Sequence, residues 1–145
     1  MSDKDFIKWK DEYSVGISYI DDQHKKFLDM INKLVEACNQ GEDVASKVFK
    51  MTIKDLFEYV KFHFKTEEDI LIRYKYPEED YNLHKKEHEQ FMIKVLEFVS
   101  DFENGKKYVP NQTTRFLKNW LLQHIIVIDK KYAIFLKEKM GLKNI

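Results

Sequence analysis

The sequence predicts an all-α protein, built as an up-down-up-down four-helix bundle with an extended N-terminal arm. Breakers at Gly41, Pro77 and the stretch 104–110 leave four long segments, in each of which apolar residues recur with a period near 3.6. The 145 residues include only 4 Gly and 2 Pro, and 43% are hydrophobic, as is typical of a compact helical protein. Amphipathic helices with short connections pack most simply as an antiparallel bundle. The length predicts a single domain over residues 1–145.

Residues 1–17 are expected to form the arm. An extended chain is indicated by apolar residues at alternate positions, namely Tyr13, Val15, Ile17 and Tyr19. Trp9 and Phe6 are expected to anchor the arm on the bundle. A single β-strand would have no partner strand here, so the segment is predicted to lie extended and outside any sheet.

The four helices are expected at about 18–40, 42–74, 78–103 and 111–139. Ser18 and Asp21 have the spacing of a capping box at the start of the first helix, and Gly41 suits the C′ position after it. The second helix begins with acids and has Arg73 near its end, as the helix dipole prefers. The apolar stripe of the fourth helix is predicted to contain Phe116, Leu117, Trp120, Leu121, His124, Val127 and Ile128.

Charge, cysteine content and apolar runs indicate which partners and which compartment to expect. The formal net charge is +0, which gives no electrostatic reason to expect nucleic acid or an anionic membrane surface as a partner. Cys38 is the only cysteine and lies on an apolar stripe, so nothing requires an oxidising compartment. The charged N-terminus lacks the apolar stretch of a signal peptide, so none is expected, and the apolar run 125–128 is too short to span a bilayer. The sequence therefore predicts a cytoplasmic protein.

The most informative residues are the five histidines, which all have helical spacings suited to metal ligands. They are His24, His63, His84, His88 and His124. Glu67 follows His63 by four residues, and His84 and His88 are themselves four apart, so each pair shares one face of a helix. A single histidine on an apolar stripe is usually a core residue that bonds to a carbonyl. Five together favour a metal site, because unpaired buried imidazoles are costly.

Position along the bundle supports this interpretation. His24 is near the start of the first helix, His63 late in the second and His84 early in the third. In an alternating bundle these three places lie at the same end, at a rise of about 1.5 Å per residue. His124 lies somewhat deeper, where His88 and the acids can still reach it. The ligands are therefore predicted to converge.

Two acids are distinguished from the rest. Glu67 lies on its apolar stripe, and Asp129 follows four apolar residues, which is a poor setting for an unpaired carboxylate. Asp129 is five residues after His124, and five residues turn a regular helix by about 140° from the starting direction. Either the two side chains approach from opposite flanks of one face, or the helix widens into a π-bulge. The acids predicted to be solvated surface charges are Glu68, Asp69, Glu87 and Glu89.

The number of ligands indicates two metal ions. One ordinary zinc site takes about four ligands. Five imidazoles, two bridging carboxylates and a bridging oxide or hydroxide would fill all but one position of two octahedral ions, which leaves room for one small exogenous molecule. This ligand set suits iron, and less uniquely manganese, copper or zinc. The chain lacks the Glu-x-x-His motif of carboxylate-rich di-iron bundles, and the scarcity of anionic ligands favours reversible oxygen binding over oxygen activation.

These motifs together resemble the hemerythrin family, and specifically its bacterial members, over nearly the whole chain. The resemblance rests on Trp9, Val15-Gly16-Ile17, Ile20-Asp21-Asp22-Gln23-His24, His63-x3-Glu67, His84-x3-His88 and Trp120-Leu121-x2-His124-x4-Asp129. All seven ligand positions of the family carry the expected residue: His24, His63, Glu67, His84, His88, His124 and Asp129.

The resemblance implies a non-haem di-iron centre. One iron would be bound by the histidines of the third and fourth helices, and the other by His24 and His63 with one open position. Glu67 and Asp129 would bridge the two irons, with an oxo or hydroxo group as the third bridge. Dioxygen would bind end-on at the open position, be held as hydroperoxide and leave again as dioxygen. Trp120 and Leu121 would line this pocket, a role that is compatible with plain core packing of both side chains.

Two functional hypotheses follow. The first is a binding protein that carries, stores or delivers dioxygen. The second is an enzyme or sensor that uses the same centre, with oxygen, peroxide or nitric oxide as its ligand. A sensor is expected to carry an output domain, for which the 145 residues leave no spare length, and an enzyme needs a proton source, for which the stripes offer no spare ionisable group. We therefore expect an oxygen carrier that is not an enzyme, with a protein acceptor that the sequence does not identify.

Overall fold

The computed structural model describes residues 7–141, and it confirms the all-α four-helix bundle. Helices α1 (Ser18–Asn39), α2 (Glu42–Arg73) and α3 (Glu78–Glu103) are uninterrupted. Helix α4 (Val109–Gln123) continues through a π-helical turn (His124–Asp129) into α5 (Lys130–Met140), and these three pieces form the fourth rod of the bundle. Within residues 7–141 no β-strand occurs, and no helix is long and apolar enough to cross a membrane.

The arm packs against the bundle, but it is not extended throughout. A 3-10 turn covers Asp11–Tyr13. The backbone of Ile7 pairs with the side-chain amide of Asn32 through two hydrogen bonds of 2.8 Å. Trp9 is half-buried against the core, as expected, whereas Phe6 lies outside the described residues. Tyr19 already belongs to α1 and is 46% exposed, so the alternating pattern ends at Ile17, two residues earlier than predicted.

The predicted capping box at the start of α1 is wrong. Ile17 occupies the N-cap position, and no side chain caps the helix. The Asp21 carboxylate instead accepts hydrogen bonds from the Ser14 hydroxyl at 2.6 Å and the Val15 N–H at 2.8 Å. Asp21 bonds to the arm and not to the end of its own helix, because these two donors lie beside the first turn of α1. This contact fixes the arm to the helix that carries His24.

The start of α4 also differs from the prediction. The helix begins at Val109, two residues before the expected position, so Pro110 lies inside its first turn. Proline is tolerated there because the first N–H groups of a helix have no intrahelical partner. Tyr108 turns the chain into the helix with a left-handed backbone at φ 63°. Proline therefore marks the beginning of this helix and does not break it.

Two apolar clusters lie on either side of a polar layer. One cluster includes Phe27, Val60, Phe91 and Leu121, and the other includes Ile20, Ile70, Tyr132 and Leu136. In each helix the histidines and acids of interest fall between residues of the first cluster and residues of the second. The fold therefore encloses a layer of ionisable side chains between two hydrophobic regions.

Candidate metal centre

All seven residues predicted as metal ligands lie in the buried polar layer. Their exposed fractions are 0% for His24, 1% for His63, 0% for Glu67, 1% for His84, 2% for His88, 4% for His124 and 0% for Asp129. Histidine and carboxylate side chains are rarely buried to this extent unless they are paired or coordinate a metal. The structure thus brings together every residue that the spacing singled out.

Helical geometry places the ligands on α2 and α3. His63 and Glu67 are one turn apart on α2, with 3.2 Å between His63 Nε2 and Glu67 Oε1. His84 and His88 are likewise one turn apart on α3, and their ring centroids are 4.4 Å apart. Glu67 Oε1 also lies 3.4 Å from His88 Nε2, so this carboxylate reaches across from α2 to α3. The Glu67 carboxylate therefore contacts histidines of both α2 and α3.

The π-helical turn positions the last two candidate ligands. The turn covers His124–Asp129. It therefore begins and ends at the two candidate ligands whose five-residue spacing does not suit a regular α-helix. A π-helix bonds residue i to residue i+5, so residues five apart come to lie on the same side. As a result, His124 Nε2 lies 3.1 Å from Asp129 Oδ1. Of the two arrangements that the sequence left open, the structure has the π-bulge.

The same turn makes one stripe assignment wrong. Val127 was predicted to face the core, but it is 57% exposed. Widening the helix advances Asp129 into the layer and rotates the middle of the turn outward. Ile125 stays fully buried while its neighbour Ile126 is 47% exposed. A stripe drawn at 3.6 residues per turn therefore loses its phase here.

The candidate ligands form two groups that share Glu67. One group comprises Glu67, His84, His88 and His124, and the other comprises His24, His63 and Glu67, with potential ligand atoms within 4.8 Å of one another in each. Asp129 lies between the groups. Its Oδ2 is 3.1 Å from His24 Nε2, and its Oδ1 is 3.6 Å from His84 Nε2. Two carboxylates between two sets of imidazoles is an arrangement that suits a pair of cations.

The pairing of these atoms tests whether a metal fits. Among residues 7–141, eight buried side-chain nitrogen or oxygen atoms have no hydrogen-bond partner, and all belong to His24, Glu67, His84, His124 or Asp129. Five of them face the centre: His24 Nε2, His84 Nε2, Glu67 Oε1 and both Asp129 oxygens. Each such atom costs about 1–3 kcal/mol when it is left unpaired. Bound cations would satisfy these lone pairs, so the residues present fit a metal centre.

Three side chains that sequence reasoning missed hold the candidate ligands. The Nδ1 of His63 lies 2.6 Å from Gln23 Oε1, and that of His88 lies 2.8 Å from Glu68 Oε2. The Tyr132 phenol donates a 2.5 Å hydrogen bond to Glu67 Oε2. Gln23 and Glu68 each directly adjoin a candidate ligand in the sequence, and Tyr132 lies three residues after Asp129, which were the available signals.

Two predictions are corrected by these contacts. Glu68 was expected to be a solvated surface charge, but its side chain is only 21% exposed and is bonded to His88. The stripes were expected to offer no spare ionisable group, but Tyr132 is fully buried with its hydroxyl at the centre. Glu68 was missed because it adjoins a stripe position and reaches inward only where a neighbouring helix supplies a partner. Tyr132 was missed because it lies beyond Ile128, where the predicted stripe of the fourth helix ended.

Aromatic rings flank the three-histidine side. Trp120 stacks on His124 with centroids 4.3 Å apart at 13°, and Phe64 stacks on His88 with centroids 3.7 Å apart at 3°. Trp120 is half-buried and, together with His124, helps to line a surface pocket of about 200 Å³. Leu121 is 1% exposed within the apolar cluster that borders the layer. A role for Trp120 and Leu121 in lining a ligand pocket stays a prediction.

Burial and close charges shift the pKa values of several groups in the metal-free protein. Burial acts to lower the pKa of His88, but its contacts with Glu67 and Glu68 outweigh this effect and raise it to about 9. Burial acts to raise the pKa of Glu67, but His63 and the other imidazoles hold it well below its usual value. Burial, followed by the charges of Glu67 and Asp129, raises the pKa of the Tyr132 phenol. The centre therefore favours ionised carboxylates beside a neutral phenol.

The fold and the site define a class of protein: a four-helix bundle that encloses histidines and carboxylates able to hold metal ions. A family model described as "Hemerythrin HHE cation binding domain" matches residues 15–134. The chain belongs to the hemerythrin family. Membership implies a non-haem di-iron site, which the two groups of potential ligands fit.

Individual relatives and solved structures agree with this assignment. The bacteriohemerythrin of Methylococcus capsulatus is 35% identical over 122 residues, which cover 84% of this chain and 89% of that protein. The bacteriohemerythrin of Clostridium acetobutylicum is 33% identical over 127 residues, or 86% and 96% of the two chains. The crystal structure of a wild-type hemerythrin is similar to this one with a TM-score of 0.74 and 32% identity, over 88% of this chain and 95% of that one.

Proposed function

We propose that the protein binds dioxygen reversibly at a non-haem di-iron centre and serves to carry, store or deliver it. The observation that carries this proposal is the buried layer of imidazoles and carboxylates, in which eight nitrogen and oxygen atoms lack hydrogen-bond partners among the described residues. Such a layer is destabilising without cations and is completed by them. The family supports iron as the metal, and the mixed imidazole and carboxylate donors suit it.

In this proposal the seven side chains divide between two irons. His84, His88 and His124 would hold one iron, and His24 and His63 would hold the other. Glu67 and Asp129 could serve both, because each lies close to histidines of both groups. An oxo or hydroxo group would complete the centre. Bound iron would supply the electrons that dioxygen takes up on binding and returns on release.

The rest of the chain keeps the centre dry and ordered. The apolar clusters above and below the layer exclude water and stray protons from it. Gln23 and Glu68 accept hydrogen bonds from Nδ1 of their histidines, which leaves Nε2 as the nitrogen that would bind a metal ion. Tyr132 holds one oxygen of Glu67. Because these contacts are preformed, ligand binding need not reorganise the site, as reversible binding requires.

The test is a cycle of oxygenation followed by spectroscopy. The iron-loaded protein is reduced without air, exposed to oxygen and then flushed with inert gas. A near-ultraviolet and visible absorption band that appears with oxygen and disappears on flushing, over repeated cycles, supports a carrier. Irreversible bleaching, or no band at all in protein that retains its iron, would contradict the proposal.

One observation favours an enzyme as the second candidate. The buried phenol of Tyr132 is a proton-carrying group in direct contact with Glu67, which an enzyme acting on oxygen, peroxide or nitric oxide would need. Turnover of these molecules in the presence of a one-electron reductant separates the two functions. A carrier takes up at most one equivalent of its ligand per centre and returns it, whereas an enzyme consumes many equivalents and slows in Tyr132→Phe.

We further propose that the protein acts in the cytoplasm. Its single cysteine gives no reason to expect an oxidising compartment. The ligand that the centre would exchange with its surroundings is dioxygen.

A further inference from the structure

The five histidines differ in what their outward-facing nitrogens contact. Nδ1 of His63 and Nδ1 of His88 each have a hydrogen-bond partner. Among residues 7–141, the Nδ1 atoms of His24, His84 and His124 have none. In each of the two groups, therefore, only one histidine has a side chain bonded to its Nδ1.

The two partners differ in charge. His63 faces the neutral amide oxygen of Gln23, and His88 faces the carboxylate of Glu68. Both partner atoms are acceptors, so Nδ1 carries a hydrogen in each histidine, and Nε2 is the atom turned toward the other candidate ligands; in His88 it lies 3.2 Å from His124 Nε2. Nε2 lies 3.2 Å from Glu67 Oε1 in His63 and 3.4 Å in His88. The two hydrogen-bond acceptors therefore differ in charge, since Gln23 is neutral and Glu68 is negative.

We propose that Glu68 is a positioning residue that makes the three-histidine position take up its metal ion before the two-histidine position and hold it in the higher oxidation state. This inference rests on the proposed di-iron centre. Glu68 touches no metal in it and acts through His88. Gln23 has the corresponding place at the two-histidine position and leaves it without this advantage.

The physical reason lies in the polarisation of the imidazole. A carboxylate that accepts the outer N–H pushes electron density toward Nε2, which makes the histidine a stronger donor to a cation. Glu68 is 21% exposed, so solvent screens its charge only in part. Phe64 stacks flat on the His88 ring at 3.7 Å, which keeps the imidazole in the plane that this hydrogen bond needs. Glu68 therefore polarises an imidazole whose orientation is already fixed by Phe64.

In the first experiment, the full-length, metal-free protein is titrated with ferrous ion without air, and calorimetry measures the heat of each binding step. We expect two binding steps of unequal affinity in the wild type. The tighter step should survive in His63→Ala, which lacks a ligand of the two-histidine position. In Glu68→Gln the side chain can still accept the hydrogen bond but has lost its charge, so the tighter step should weaken by about 10- to 100-fold while the other step is unchanged.

Gln23→Glu is the matched control, because it places a carboxylate at the corresponding position behind His63. The weaker step should tighten in this variant, and the two affinities should approach each other. The reduction potential of the iron at the three-histidine position should also rise in Glu68→Gln, which a merely structural role would not produce. Circular dichroism of the metal-free variants checks their fold.

The outcomes separate this inference from the proposed function. Two wild-type steps of equal affinity, or a tighter step that is lost in His63→Ala, would overturn the role of Glu68 and leave the di-iron centre intact. So would equal weakening of both steps in Glu68→Gln. If that variant does not fold, the wild-type order and Gln23→Glu still decide the matter. Fewer than two ions bound by the wild type would overturn the proposed function itself.

Discussion

The hydroxyl of Tyr132 donates a hydrogen bond to Oε2 of Glu67 across 65 positions of sequence, in a region where both side chains are fully buried. Tyr132 belongs to α5 and Glu67 to α2, so the contact joins the helix that follows the π-helical turn to α2 within the polar layer. The other oxygen of Glu67 is left to face His63 and His88. This one contact orients the carboxylate that both ligand groups share.

Tyr132→Phe tests the strength of this contact. Removing the hydroxyl leaves a buried carboxylate oxygen unpaired, so the free energy of unfolding of the metal-free protein should fall by about 1.5–3 kcal/mol. Urea denaturation measures the change. Tyr19→Phe is the control, because Tyr19 is 46% exposed and its loss should cost at most about 0.5 kcal/mol. Equal effects in the two variants would show that the phenol does not hold Glu67.

Periodicity on the amphipathic helices accounts for most of what was predictable. His63 and Glu67, or His84 and His88, are one turn apart on stripes that must face the core, so their convergence follows from helix geometry alone. The bundle follows from the same stripes. Residues whose placement depends only on 3.6 residues per turn were therefore placed well, although their role as ligands stays a proposal.

Features that depend on a neighbouring helix were not predictable in this way. Glu68 and Gln23 lie beside the stripes, and only the positions of α3 and α1 against α2 show that they reach the rings of His88 and His63. Val127 was misplaced because the π-turn shifts the helical phase locally. A single sequence could offer the π-bulge only as one of two alternatives, since the choice depends on what Asp129 contacts across the bundle.

Metal removal should destabilise the protein. Without cations, the layer keeps imidazoles and carboxylates unpaired between two apolar clusters. Because metal binding is coupled to folding, chelation should lower the melting temperature and increase hydrogen exchange in the segments that carry the layer. Adding ferrous ion back without air should restore both. A melting temperature that does not respond to chelation would mean that the layer is stable without metal.

The two ligand groups should respond differently to alanine substitution. His24→Ala and His63→Ala should deplete the two-histidine iron first and abolish oxygen binding, because the proposed centre has its open position on that iron. His88→Ala should harm the three-histidine iron, which in the proposed centre does not receive oxygen. Iron content and the oxygen-dependent absorption band are measured for each variant. Equal retention of oxygen binding in all three would contradict the division of ligands.

Leu121→Ala tests the predicted pocket lining. Leu121 is 1% exposed and one turn before His124, so truncation should cost about 2–5 kcal/mol of folding stability. It should also admit water and small anions, and shorten the half-life of the oxygenated form through faster autoxidation. Leu117→Ala is the matched control, since Leu117 is equally buried but one turn further from His124. A half-life that falls no more in Leu121→Ala than in Leu117→Ala would assign Leu121 to the ordinary core.

The central claim is that one chain holds two irons which together bind one dioxygen and release it. The most direct measurement combines iron analysis with gas titration of the reduced protein. We predict two irons per chain, uptake of one dioxygen for each pair of irons, and recovery of nearly all of that dioxygen as gas when the oxygen pressure is lowered. A single iron per chain, or dioxygen that is consumed and not returned, would contradict the account.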